Sequence, residues 1–233
     1  MELSIIIPAY NEEKRILKTL KEYTKFFTKK FKKNFEIIIV PNNCKDNTLR
    51  VAQNFSKKNK QIKIFNIPYY VGKGGAVMLG FEKAKGNYIG FADADNSTNP
   101  KNFFKLYENI KKFDGTIASR RIKGAIIDPK RRVSQEVSSF LFYKLTNLLF
   151  SLNFKDTQCG AKLFTKKTAH FLIKNYTEPG WIFDVDLLCV CKKNNLKILE
   201  YPVIWRDSEG SKLSFLDAIT SVLKLFKYRL KKS

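Results

Sequence analysis

Histidine is almost missing from this chain of 233 residues, which has one, His170. Imidazole acid–base chemistry therefore has a single candidate, and its place before Phe171-Leu172-Ile173 reads as a structural helix position. Cysteine is scarce as well. Cys44, Cys159, Cys189 and Cys191 lack the paired spacings of a zinc site and, with no secretory leader expected, read as reduced core thiols of a cytoplasmic protein. No stretch of about 18 apolar residues occurs, so any membrane contact is expected to be peripheral. Acidic residues are in short supply too, 21 Asp and Glu against 44 Lys and Arg, a formal net charge of +23. That excess favours anionic partners. Much of it is scattered Lys, but Arg120, Arg121, Arg131 and Arg132 fall in one short stretch.

What is present is core material: a hydrophobic fraction of 44% and 20 Phe, enough for one large domain. The first half alternates strand and helix patterns. Apolar runs at Leu3 to Ile7, Glu36 to Val40, Gln61 to Ile67, Asn87 to Phe91 and Gly115 to Ser119 read as strands. Between them lie an amphipathic stretch bearing Ile16, Leu17, Leu20 and Tyr23, a helix start at Asp46-Asn47-Thr48, a helix opened by Gly72-Lys73-Gly74-Gly75, and Pro100 in a first helical turn. Such alternation implies an α/β fold with a mostly parallel sheet flanked by helices.

The second half reads differently. Arg120 to Arg132 lacks periodicity and is expected as a mobile loop. Val137 to Leu152 is strongly apolar but short for a bilayer, so it packs on the sheet or rests on a membrane. Residues 213–233 form a basic amphipathic tail with Leu216, Ile219, Leu223 and Phe226 at helical spacing, in the same unit as residues 1–212.

Several constellations can carry chemistry. Asp93 and Asp95 follow an apolar strand, at the edge where open α/β folds bind ligands. If the strand bends there, one carboxylate serves a sugar and the other a divalent metal; a lone Asp-x-Asp is also ordinary turn chemistry. Tyr10, in Pro8-Ala9-Tyr10-Asn11-Glu12, offers a ring for stacking, and Asn42 ends the next strand. Lys73 stands at a helix start, which favours anions. A basic nucleic-acid-binding module is the alternative of another class. It lacks a recognised motif, and Asp93, Asp95, Asp184 and Asp186 oppose it.

Together, Ile5-Ile6-Ile7-Pro8-Ala9-Tyr10-Asn11-Glu12, the Gly-Lys-Gly-Gly run and Asp93-Ala94-Asp95 resemble the family 2 glycosyltransferases of the GT-A fold. Asp156-Thr157-Gln158-Cys159-Gly160, Phe183-Asp184-Val185-Asp186-Leu187-Leu188 and Glu209-Gly210-Ser211-Lys212-Leu213 resemble the dolichyl-phosphate β-glucosyltransferases among them, and the mannosyltransferases less closely. The resemblance implies inverting transfer of a hexose, glucose from UDP-glucose, to a polyprenyl phosphate with Mg2+ or Mn2+. Mannose from GDP-mannose and a soluble acceptor are the alternatives within enzymes. It places the protein on the cytoplasmic face of an anionic membrane surface, with no nucleic acid as partner. By position it assigns Pro8, Ala9, Tyr10, Glu12, Asn42, Lys73, Asp93, Ser211 and Lys212 to the donor. Asp95 and Ser97 go to the metal, and Arg120, Arg131 and Arg132 to the acceptor phosphate. Asp93, Asp95, Asp156 and Asp186 are the catalytic candidates. One departure is Pro41-Asn42-Asn43-Cys44, where many members carry Asp-Asp-Gly-Ser.

Overall fold

The structure is a computed structural model and describes residues 1–129, 133–178, 180, 182–206, 223 and 225–230. β1 (Leu3–Ala9) and β2 (Phe35–Pro41) are buried along their whole length. Strands covered on both faces read as continuous apolar runs, which is why both stand out in the sequence. β3 (Ile62–Ile64) and β4 (Tyr88–Ala92) complete a parallel group in the order β3-β2-β1-β4. The chain leaves β1 in one direction and returns on its other side at β4. The carboxyl ends of β1 and β4 therefore flank a switch point, where such sheets leave a crevice.

One face of the sheet is covered by α1 (Ile16–Phe31), α2 (Thr48–Ser56) and α4 (Pro100–Asn109). α1 buries Ile16, Leu20, Tyr23 and Phe27, one stripe at helical spacing, whereas Leu17 faces solvent. Pro100 opens α4 as expected, with the Asn99 side chain accepting from the Asn102 amide at 3.0 Å. The opposite face carries α3 (Gly72–Lys83), α6 (Lys166–Asn175) and α7 (Phe183–Lys193). Gly72 opens α3 with φ +73°, a conformation glycine adopts without steric cost. His170 is an exposed residue of α6. All four cysteines are free; Cys159 and Cys191 are buried, Cys44 and Cys189 half-buried.

The second half extends the sheet in a way the alternating pattern does not announce. β5 (Gly115–Ser119) does not pair with β4. Between them runs β7 (Ala161–Thr165), antiparallel to both, and β8 (Ile198–Pro202) pairs parallel with β5. The expected mobile loop is partly ordered: β6 (Ile126–Asp128) pairs with β9 (Ile204–Arg206) in a second, two-stranded sheet.

The apolar Val137 to Leu152 stretch lies in α5 (Val133–Phe150), which divides its surface. Leu145, Leu149 and Phe150 pack against Leu225 and Tyr228 of the helical residues 225–230. Val137, Phe140, Leu141 and Leu148 face outward. The tail residues 213–222 lie outside the described residues; beyond them Leu223, Phe226 and Leu230 are exposed while Leu225 is fully buried.

Candidate active site

The chain bends after β4. The Asp93 amide still donates to the Gly160 carbonyl at 3.0 Å, but Asn96 takes a positive φ of 62°. The two carboxylates consequently have different partners, as a bent strand requires. Asp93 accepts from Lys73 Nζ at 2.7 Å. Asp95 accepts from the Ser97 amide at 2.9 Å and lies 4.0 Å from the Arg15 guanidinium. A Cβ at position 160 would sit 1.7 Å from Asp93 Oδ2, so that carboxylate occupies room which only a glycine leaves. Burial pushes the Asp93 carboxyl up, the Lys73 ammonium counters it, and Asp95 adds to the rise.

Lys73 is the first of two lysines in this wall. Its Nζ lies 3.8 Å from Asp184 and 5.5 Å from the ring centroids of Phe91 and Phe183. Burial works against its charge, but Asp93 and Asp184 outweigh burial and hold its pKa well above the ordinary lysine value. Behind it, Lys162 of β7 is fully buried and donates to Asp184 Oδ1 and to the Cys159 carbonyl at 3.0 Å. Asp93, Lys73, Asp184 and Lys162 thus form one row of alternating charge.

This row corrects the choice between two acids on α7. Asp184, not Asp186, reaches the site. Residues two apart on a helix point in nearly opposite directions, so the pair cannot share a face. Asp186 is fully buried elsewhere, accepting from the Thr177 amide at 2.5 Å, the Glu178 amide at 3.0 Å and the Tyr228 hydroxyl. It ties the turn before α7 to residues 225–230. Sequence reasoning missed Lys162, whose signal was a lone lysine inside an apolar strand.

At the end of β1, Pro8 and Ala9 are strand residues, and the Ala9 carbonyl accepts from the Asn42 amide at 2.9 Å. Glu12 is engaged by Arg15 through two hydrogen bonds of 2.6 Å, and its amide donates to Thr48 Oγ1 at 2.6 Å. Asn42 is 3% exposed; its Nδ2 donates to the Gly72 carbonyl at 3.2 Å, and its Oδ1 accepts from the Val71 amide at 2.9 Å. Glu12 and Asn42 therefore brace the edge, and of the residues expected at the donor here Tyr10 is the one that stands exposed.

On the far side, Arg120 follows β5 and grips Asp156 through Nε at 2.6 Å and Nη2 at 2.8 Å. Both are largely buried, so two of the Arg120 donors are committed within the protein. Its neighbour Arg121 donates to Ser139 of α5 at 2.6 Å. Arg121 lines a cleft of about 460 Å³ with Ile127, Val137, Phe140 and Leu141. Arg131, Arg132, Ser211 and Lys212 lie outside the described residues.

Burial opposes the Asp156 charge, yet Arg120 outweighs it and holds the carboxyl at about 2. A carboxylate depressed in the fold contributes stability above its unfolded value near ~4 and loses it as pH falls toward the folded value. We expect the stability gap between the parent and Asp156→Asn to narrow by about 2 kcal/mol from pH 5 to pH 2. Urea melts across that range will show it; a gap independent of pH would assign the shift to another group.

For a divalent cation, no cluster of three His, Cys, Asp or Glu exists among the described residues. Asp95 nevertheless stands beside Ser97, whose buried Oγ has no hydrogen-bond partner in the structure. One carboxylate and an orphaned hydroxyl are hard oxygen donors, and they fit a cation completed by the oxygens of a bound diphosphate.

Residues 4–171 match the Glycosyl transferase family 2. A dolichyl-phosphate beta-glucosyltransferase of Trichomonas vaginalis is 32% identical, over 98% of this chain and 74% of its own length. Those of Dictyostelium discoideum and Saccharomyces cerevisiae are each 32% identical, covering 97% and 94% of this chain and 72% and 71% of their own. Among solved structures, glucosyl-3-phosphoglycerate synthase of Mycobacterium tuberculosis, in complex with Mn2+, UDP and glucosyl-3-phosphoglycerate, superposes with a TM-score of 0.72. It is 16% identical, over 98% of this chain and 79% of that one. Mannosyl-3-phosphoglycerate synthase of Rubrobacter xylanophilus gives 0.73 at 16% identity, over 100% and 74%. Fold and matched sequence agree: this chain belongs to glycosyl transferase family 2 and is a glycosyltransferase of the GT-A fold.

Proposed function

We propose that this glycosyltransferase moves glucose from UDP-glucose to a polyprenyl monophosphate of the dolichyl type, with inversion at the anomeric carbon. One observation carries the reading. A switch-point crevice walled by Lys73 and its paired acids, and a cleft that combines Arg120, Arg121, Glu136 and Ser139 with the apolar side chains of Ile127, Val137, Phe140 and Leu141, both open beyond the carboxyl ends of the same sheet, after β3 and after β5. The first suits a nucleotide diphosphate, and the second suits a phosphate with a hydrocarbon chain attached. The named activity of the relatives, at 32% identity, points the same way.

In this reading an acceptor phosphate oxygen forms the new bond to the anomeric carbon as the bond to the diphosphate breaks. A phosphate monoester has its second pKa near ~6, so at pH 7 the nucleophile is already largely dianionic and needs no strong base. Orientation and charge compensation are then the work of the protein. Lys73 neutralises the departing diphosphate, Asp93 orients the sugar side, and Arg121 holds the acceptor phosphate. Asp95 and Ser97 would hold Mg2+ or Mn2+, which would supply further positive charge to the diphosphate.

No helix among the described residues is long and apolar enough to cross a membrane. The outward faces of α5 and of residues 223 and 225–230 supply the alternative, a helix surface resting in the interface. Leu148 is 80% and Leu230 78% exposed, with the exposed cations Lys144, Lys227 and Arg229 beside them. Truncating the tail is a poor test, since Leu225 and Tyr228 are core residues. Leu148→Ser with Leu230→Ser is expected instead to lower partitioning onto anionic vesicles about tenfold without changing the melting temperature. Unchanged co-sedimentation would remove these faces from the membrane. The transfer itself is tested by offering labelled nucleotide sugars with polyprenyl phosphate and Mg2+ or Mn2+. Glucose label from UDP-glucose should enter the organic phase; label from GDP-mannose alone, or none, overturns the reading.

A further inference from the structure

We propose that Tyr70 is a donor-binding residue that stacks on the nucleotide base; this deepens the donor reading above and rests on it. Three tyrosines stand at the crevice edge in unusual exposure: Tyr10 at 43%, Tyr69 at 67% and Tyr70 at 61%. Large rings left in water at one edge of a sheet are costly to leave uncovered, and a planar ligand would cover the pair that packs together, Tyr10 and Tyr70.

The segment that presents Tyr69 and Tyr70 is braced. The Ile67 amide donates to the Pro41 carbonyl at 2.9 Å, and the Asn43 amide donates to the Ile67 carbonyl at 2.8 Å. At its other end, the two Asn42 side-chain bonds described above hold Val71 and Gly72. This gives the buried Asn42 amide its purpose: it fixes the loop between β3 and α3 against the end of β2. A ring on a braced loop loses little further freedom on binding.

Tyr70 meets Tyr10 edge to face, with centroids 6.1 Å apart and planes at 78°. That spacing leaves no slot between the rings, so a base lies against an outer face, and the pair is a one-sided platform. Tyr70 precedes Lys73 by three residues, at most about 10 Å of chain. Base and diphosphate contacts are thus set by one short braced segment, with the platform at one end and the cation at the other. Tyr69 is equally exposed on the same loop but makes no ring contact with Tyr10 among the described residues, which makes it a natural control.

The test is equilibrium titration of the full chain with UDP and, separately, with pyrophosphate, both with Mg2+. Loss of one base–aromatic stack is expected to weaken UDP binding about tenfold or more in Tyr70→Ala. Pyrophosphate affinity and melting temperature should not move. Tyr70→Phe should bind UDP like the parent, as should Tyr69→Ala. UDP affinity unchanged in Tyr70→Ala overturns the assignment. So does an equal loss for UDP and pyrophosphate, which would mean the loop had shifted and carried Lys73 with it. If the parent itself binds pyrophosphate but gains nothing from the nucleoside, the donor reading fails, and this proposal with it.

Discussion

Asp95→Ala is expected to slow sugar transfer by roughly a hundred- to a thousandfold, the usual consequence of removing one element of transition-state charge stabilisation. The fold should survive. Asp95 lies on a turn, where it accepts a hydrogen bond from the Ser97 amide, worth about 1 kcal/mol. In a chain of this size that shifts the melting temperature by about 2–4 °C. Asp95→Asn makes a useful companion, because an amide oxygen can still accept from Ser97 while the charge is gone. Initial rates titrated with Mn2+ should show both variants slow at every metal concentration. A parent-like metal dependence in either would separate Asp95 from the metal and leave it as a turn residue.

The second large effect concerns stability. Lys162→Met should destabilise the protein by about 3–5 kcal/mol, the range for leaving one partner of a buried ion pair unmatched. Met follows the lysine stem closely, so little of the loss comes from packing. What remains is Asp184, almost fully buried, facing Lys73 at 3.8 Å and no longer bonded from behind. Removing both charges, as Lys162→Met with Asp184→Leu, is expected to recover most of that loss, because apolar replacement of a buried pair is often neutral or better. Denaturant melts of the single and double variants decide it. A single variant within about 1 kcal/mol of the parent would mean that Asp184 finds water or another cation.

The first half of the fold is legible because its strands are covered on both sides. Ile5-Ile6-Ile7 and Ile37-Ile38-Ile39 leave no other reading, and the turn chemistry after them marks the crevice edge. β7 is hidden for the opposite reason. Lys162 breaks its apolar run, and the partner that makes a buried lysine tolerable lies 22 residues further on, in Asp184. Motif position alone cannot divide Asp184 from Asp186; the helical turn between them does, and that requires knowing where α7 lies. Arg120 shows the same limit. Its identity suggests a phosphate, but Asp156, across an excursion of 36 residues, already holds it. Tyr70 carries no pattern at all, and its exposure is visible only once the loop is seen braced by Asn42.

Because β7 pairs antiparallel with β5, the chain leaves the sheet at Ser119 and re-enters it at Ala161 in neighbouring positions. The described residues between, including Arg120, Arg121, β6 and α5, belong to an excursion whose two ends are already clamped together. Loop-closure entropy grows slowly with length, by only about 0.6 kcal/mol per doubling. This excursion, which the proposed function assigns to the acceptor, can therefore lengthen, shorten or be exchanged at little thermodynamic cost. The edge that carries Asp93 has no such latitude, since Gly160, just before the returning strand, and Lys162 on it hold Asp93 and Asp184 in place. If the proposed roles hold, acceptor choice is open to change in this architecture, and donor choice is locked into the sheet.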